Sequence, residues 1–105
     1  MKRINNQTYL LSNPVTIKEA ASIVGPKEKD GPLSSYFDTC LEDEFWGEKS
    51  WEKAESKIVK ETINSLISKS NIAHNDIDFC FAGDLLNQCI ASSFGLRDSN
   101  LPFIG

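Results

Sequence analysis

At 105 residues the chain has room for one domain at most, and small domains bury a lower share of their unfolded surface than large ones do, so its core is expected to be modest. Hydrophobic residues make up 40% and charged residues 25%, an ordinary globular composition far from the signature of disorder. Eleven Lys and Arg against fifteen Asp and Glu leave a net charge of -4, with no basic excess to displace counterions from a phosphate backbone, which argues against a nucleic-acid ligand.

The chain opens on Lys2 and Arg3, but Asn5, Asn6, Gln7 and Asn13 interrupt any apolar core of a signal, and nowhere do eighteen apolar residues run together. No cleaved leader and no membrane span are expected. Residues 8–11 and 15–17 are β-prone stretches split by Ser12-Asn13-Pro14, a turn signal that Pro14 strengthens by lacking an N–H, and both read as strands or edge pieces. In residues 25–32 two Gly and two Pro enclose four charges, which predicts a loop. Ser34 or Ser35 can cap a short helix through Tyr36, Phe37, Cys40 and Leu41, with Gly47 ending it.

Ser50 can cap a longer helix. Trp51, Ala54, Ile58, Thr62 or Ile63, and Leu66 or Ile67 follow at three-to-four spacing, Lys69 sits in the last turn, and Asn71 is suited to the left-handed position after it. After a polar turn at 73–76, residues 77–82 are nearly continuous in apolar character, as expected of a strand buried on both faces of a parallel sheet. Residues 85–94 read as a helix, with Asp84 placed to accept from its first free N–H groups and Gly95 as its stop; Leu101 begins another strand. Helix, strand, helix, strand implies an α/β fold: a parallel sheet with helices on its faces, built on a βαβ unit. The apolar run at 101–105 has no continuation or cover, so a chain truncated at its carboxyl end is expected.

Few residues carry obvious chemistry. His74, the one histidine, reads as a solvated turn residue. Cys40, Cys80 and Cys89 are odd in number and widely spaced, unlike metal knuckles or a disulfide framework, and fit a reducing compartment. Cys80 in the predicted buried strand and Cys89 in the apolar face of the following helix read as small hydrophobes. The acidic run Glu42, Asp43 and Glu44, continued by Glu48, Glu52 and Glu55 among lysines, reads as a solvated face, and Trp46 and Trp51 as packing residues. Neither a metal nor a cofactor is expected. Two segments are candidate ligand sites. Loop 25–32 presents Lys27 and Lys29, which can meet a carboxylate or phosphate. The turn bearing Gly83, Asp84, Asn87 and Gln88 follows a predicted parallel strand, where open α/β sheets place their ligands; Asp84 can equally serve as a helix cap.

Gly25-Pro26-Lys27-Glu28-Lys29-Asp30-Gly31-Pro32-Leu33, Trp51-Glu52-Lys53-Ala54-Glu55, Ala82-Gly83-Asp84-Leu85-Leu86-Asn87-Gln88 and Leu101-Pro102-Phe103 resemble, in order and spacing, the amino-terminal region of the stage V sporulation protein AD family of spore-forming bacteria. The resemblance runs over nearly the whole chain, and the first and third motifs are long and unusual in composition. It implies a partial thiolase-like fold, related to thiolases and β-ketoacyl synthases, whose complete form has two similar halves and pairs as a homodimer. It also implies binding of dipicolinic acid for its uptake into the spore and release at germination. The implied setting is peripheral, on the cytoplasmic face of the spore or forespore inner membrane, beside other stage V sporulation A proteins. In relatives the strand beginning at Leu101 leads to the nucleophilic cysteine of thiolases, and none of the three cysteines here matches it. The resemblance thus implies a binding protein without a catalytic residue in this chain; the alternative is a thiolase-like or β-ketoacyl synthase-like acyltransferase with its catalytic residues downstream.

Overall fold

The computed structural model describes residues 1–84, 86 and 88–105. Strands β1 (Lys2–Arg3) and β2 (Tyr9–Leu10) pair antiparallel, with Lys2 opposite Leu10 and Arg3 opposite Tyr9. The Arg3 guanidinium donates to the carbonyls of Asn5 and Asn6 at 2.9 Å and holds the turn between them. The strand expected over residues 8–11 is therefore present in shortened form. The second expected strand, residues 15–17, is not formed: Val15 is 77% and Ile17 93% exposed. Strand propensity reflects fit to a half-buried pleated surface, and no such surface adjoins these residues.

Strands β3 (Ile23–Val24) and β4 (Thr39–Cys40) pair parallel. Ser22 and Asp38 extend the pairing by reciprocal bonds: the Ser22 N–H donates to Asp38 Oδ2 at 2.9 Å, and the Asp38 N–H to Ser22 Oγ at 3.0 Å. Between the strands lies α1 (Pro26–Lys29), a single turn inside the segment expected to be a loop. Pro26 occupies the first helical position, where its missing N–H is not needed and its fixed φ suits a helix. The helix expected through residues 36–41 shrinks to a 3-10 turn at Ser34–Tyr36, because Thr39 and Cys40 are drawn into pairing with β3. Leu41, just beyond, is buried.

The long helix, α2 (Trp51–Ser70), is as expected: Ser50 Oγ accepts from the Lys53 N–H at 3.2 Å, and Asn71 takes the left-handed position with φ 57°. Phe45 stacks on Trp51 with ring centroids 4.1 Å apart, and the Lys57 ammonium lies 4.6 Å from the Trp46 ring centroid while donating to the Trp46 carbonyl. At the other end, the Lys69 ammonium donates to the Ala20 carbonyl at 2.8 Å and to Asp38 Oδ1 at 3.0 Å. That bond holds the Lys69 pKa above its ordinary value and the Asp38 pKa below it.

Strand β5 (Cys80–Phe81), helix α3 (Ile90–Leu96) and strand β6 (Phe103–Ile104) form the expected βαβ unit, with β5 and β6 parallel. The strand expected to be buried on both faces is two residues long and is not buried: Phe81 is 75% exposed, Phe79 just before it 62%, and Cys80 half-buried. Gly95 does not stop α3 but lies inside it. The helices α2 and α3 pack on one another: Gly95 faces the Ser56 carbonyl and the Val59 side chain, and Ala54, Ala91, Ser92 and Gly95 are all buried. Among the described residues the six strands form three separate pairs, so the chain is mixed α/β with two short parallel pairs and helices beside them. Its radius of gyration is 16.2 Å, against about 13 Å for a compact domain of this length. No helix among the described residues is long and apolar enough to cross a membrane.

Candidate functional site

Strand β5 delivers the chain to Gly83 and Asp84. Gly83 is exposed, and a Cβ built there would meet nothing within 4 Å, so one side of the turn is open. Asp84 is half-buried and faces inward to α3. Its Oδ1 accepts from the Cys89 N–H at 3.1 Å, and its Oδ2 accepts from the Ser92 N–H at 3.0 Å and the Ser92 hydroxyl at 2.8 Å. The capping expected of Asp84 is therefore present, but it is exerted from five and eight residues upstream. Helix α3 begins at Ile90, not at residue 85, so the donors it satisfies lie one turn later than the sequence suggests.

Gln88 and Cys89 both have left-handed backbone, with φ 48° and 66°. For residues with a Cβ this conformation costs about 1–2 kcal/mol each. It terminates the turn and leaves Gln88 exposed. Asn87 lies outside the described residues, as does Leu85. Cys89 is the residue before α3 and not part of its apolar face. Burial pushes the Cys80 thiol above its ordinary pKa, in keeping with a small hydrophobe.

One member of this neighbourhood was not anticipated. Glu55, expected on a solvated face, is half-buried, and its Oε2 is buried with no hydrogen-bond partner among the described residues. Burial, with the charges of Asp84 and then Glu52 added, pushes its pKa above the ordinary glutamate value. The signal was available: Glu55 stands four residues after Trp51 and three before Ile58, at the border of the apolar stripe of α2. A raised folded-state pKa means that the fold favours protonated Glu55. Its stabilising effect is full below the ordinary glutamate pKa and is lost as pH rises through that value to the raised one. Glu55→Gln is accordingly expected to stabilise the protein at neutral pH by about 1 kcal/mol, the low end of the cost of an unsatisfied buried polar group. The gain should vanish toward pH 4 in denaturant titrations, and an equal gain at both pH values would exclude this origin.

The lysines of the other candidate segment sit elsewhere. Helix α1 packs on β3 and β4, whereas Asp84 and Gln88 lead into α3, which packs on α2. The Lys29 ammonium is paired with the Glu42 carboxylate, and this bond raises the Lys29 pKa. Lys27 is exposed in the last turn of α1. The structure therefore sets Glu55 near enough to Asp84 for the two charges to interact, and places Lys27 and Lys29 on a different element from the turn after β5.

The family model of stage V sporulation protein AD matches residues 5–105. The chain belongs to the stage V sporulation protein AD family. It is 38% identical over 104 residues to the Stage V sporulation protein AD of Bacillus subtilis (strain 168), an alignment that covers 99% of this chain and 31% of that protein. The chain thus spans about a third of the length of the curated relative it matches. In this chain the turn after β5 has an open glycine, Gly83, and an engaged aspartate, Asp84.

Proposed function

We propose that the protein serves sporulation as a non-enzymatic binder of dipicolinic acid, taken up into the spore and released from it, with this chain contributing one wall of the pocket. The family match over residues 5–105 carries the reading. In it the βαβ unit is part of a thiolase-like fold. The full protein works as a homodimer on the cytoplasmic face of the spore or forespore inner membrane, beside other stage V sporulation A proteins. The raised pKa of the Cys80 thiol, away from the thiolate that acyl transfer needs, supports binding over catalysis by that residue.

Dipicolinate is a planar dianion near neutral pH, so its pocket must aim donors or cations at two carboxylates. The open side of Gly83 and the exposed amide of Gln88 lie at the carboxyl end of β5, a position suited to such donors. Asp84 contributes indirectly, since its oxygens are engaged by α3 and its charge would repel the ligand. Calorimetry on the full-length protein tests the reading. Asn87→Ala and Gln88→Ala are each expected to weaken dipicolinate binding by about 1–3 kcal/mol, the usual cost of an unsatisfied buried partner. Unchanged affinity in both variants, with the fold intact, would move the pocket away from this turn.

A further inference from the structure

A groove of about 690 Å3 runs between α2 and α3, well apart in character from the turn after β5. Its size falls within the range of about 300–1,000 Å3 typical of small-molecule sites. Lys53, Lys57 and Lys60 line it from α2. Their spacing of four and three residues puts them on one stripe of the helix, spread over about 10 Å at the usual helical rise. Arg97 lines it from the end of α3, and Ile90 and Phe94 give it an apolar floor. Gly95 lets the two helices approach closely beneath that floor.

The carboxylates of Glu48, Glu52 and Glu61 also line the groove, so four cations face three anions. That local excess stands in a chain whose net charge is -4. The lysines differ in how far they are committed. The Lys57 ammonium is held by the Trp46 carbonyl at 2.9 Å and by the indole ring. Among the described residues, neither the Lys53 nor the Lys60 ammonium has a carboxylate within 4 Å, and the charge of Glu52 bears on Glu55 instead. Arg97 is 3.9 Å from Asp98, with its guanidinium over Phe94.

We propose that this groove binds a phosphate ester carrying an apolar group. Lysine ammonium groups on flexible stems act as point charges, and a phosphate with several acceptor oxygens can be shared between two of them. Lys53 and Lys60 converge on the phosphate, and the apolar group lies on Ile90 and Phe94. The ester is either a free small molecule or the headgroup region of an anionic lipid, two sources of one chemistry.

Calorimetry on the full-length protein with phenyl phosphate and inorganic phosphate is the test. Phenyl phosphate is expected to bind about tenfold more tightly than inorganic phosphate, since burying a ring on the apolar floor is worth at least that factor. The double substitution Lys53→Ala and Lys60→Ala is expected to lower phenyl phosphate affinity by about tenfold or more, with the Lys53→Arg and Lys60→Arg pair retaining most of it. Both positions are exposed on a helix, so the alanine variant should keep its helical circular dichroism. Dipicolinate affinity is expected to be unchanged in it, which separates this groove from the turn after β5. In sedimentation with vesicles, lysine-dependent binding to phosphatidylglycerol but not phosphatidylcholine would assign a lipid source, and phenyl phosphate binding without it would assign a soluble ester. Absence of saturable phenyl phosphate binding, or binding indifferent to the double alanine substitution, overturns the proposal.

Discussion

Gly95→Ala is expected to destabilise the protein by about 2 kcal/mol, within the range for overpacking a close contact. A methyl group there would sit 2.8 Å from the Ser56 carbonyl oxygen and 3.1 Å from Val59 Cβ. Both neighbours belong to α2, and a backbone oxygen in a helix cannot turn aside as a flexible side chain can. The intrinsic preference of helices for Ala over Gly, about 1 kcal/mol, works in the opposite direction and is overcome. Ser93→Ala provides the control: it lies on the exposed side of the same helix, where the change is expected to be neutral or slightly stabilising. Denaturant titrations of the three proteins decide the matter, and a stable Gly95→Ala would mean that α2 and α3 are free to move apart.

Asp84→Ala is expected to cost about 3 kcal/mol or more, because three donors lose their acceptor together and one of them is the hydroxyl of Ser92, which is fully buried. Asp84→Asn keeps one acceptor oxygen and should lose less. It also removes one of the charges that raise the Glu55 pKa, so part of the loss is returned at neutral pH. The substitutions Asp84→Asn and Glu55→Gln should then be non-additive in a double-mutant cycle, as expected of neighbours that interact. Strict additivity would show that the two carboxyl groups do not sense one another.

The parts of the fold legible in the sequence are those decided locally. Helix α2 carries its own cap in Ser50, its apolar stripe and its left-handed stop at Asn71, all within twenty-two residues of each other. Strands β3 and β4 pair across sixteen positions of sequence, and nothing in residues 36–41 announces that a partner will override their helical spacing. The start of α3 lies later than its sequence suggests because two consecutive left-handed residues, Gln88 and Cys89, interrupt a stretch whose apolar pattern looks continuous. Gly95 resembles a helix stop in one dimension. Its role in a helix contact is signalled only by Ala91 and Ser92, small residues four and three positions before it. At the candidate site, Gly83 and Asp84 are legible from their place after a strand, whereas Glu55 comes from twenty-nine residues before Asp84.

The two ends of α2 are held by different physics. Within its first half the helix is packed on α3, with Gly95 against the Ser56 carbonyl and the Val59 side chain, an attachment that is insensitive to ionic strength. At its last turn it is fastened by the Lys69 ammonium to Asp38, Glu19 and the Ala20 carbonyl, where the ionic partners are substantially exposed and screened within about 10 Å at 0.1 M salt. Rising salt therefore loosens the β3–β4 end while leaving the βαβ end clamped. An order of local opening is expected in hydrogen exchange, in which the segment around β4 exchanges its amide hydrogens ahead of the α2–α3 contact.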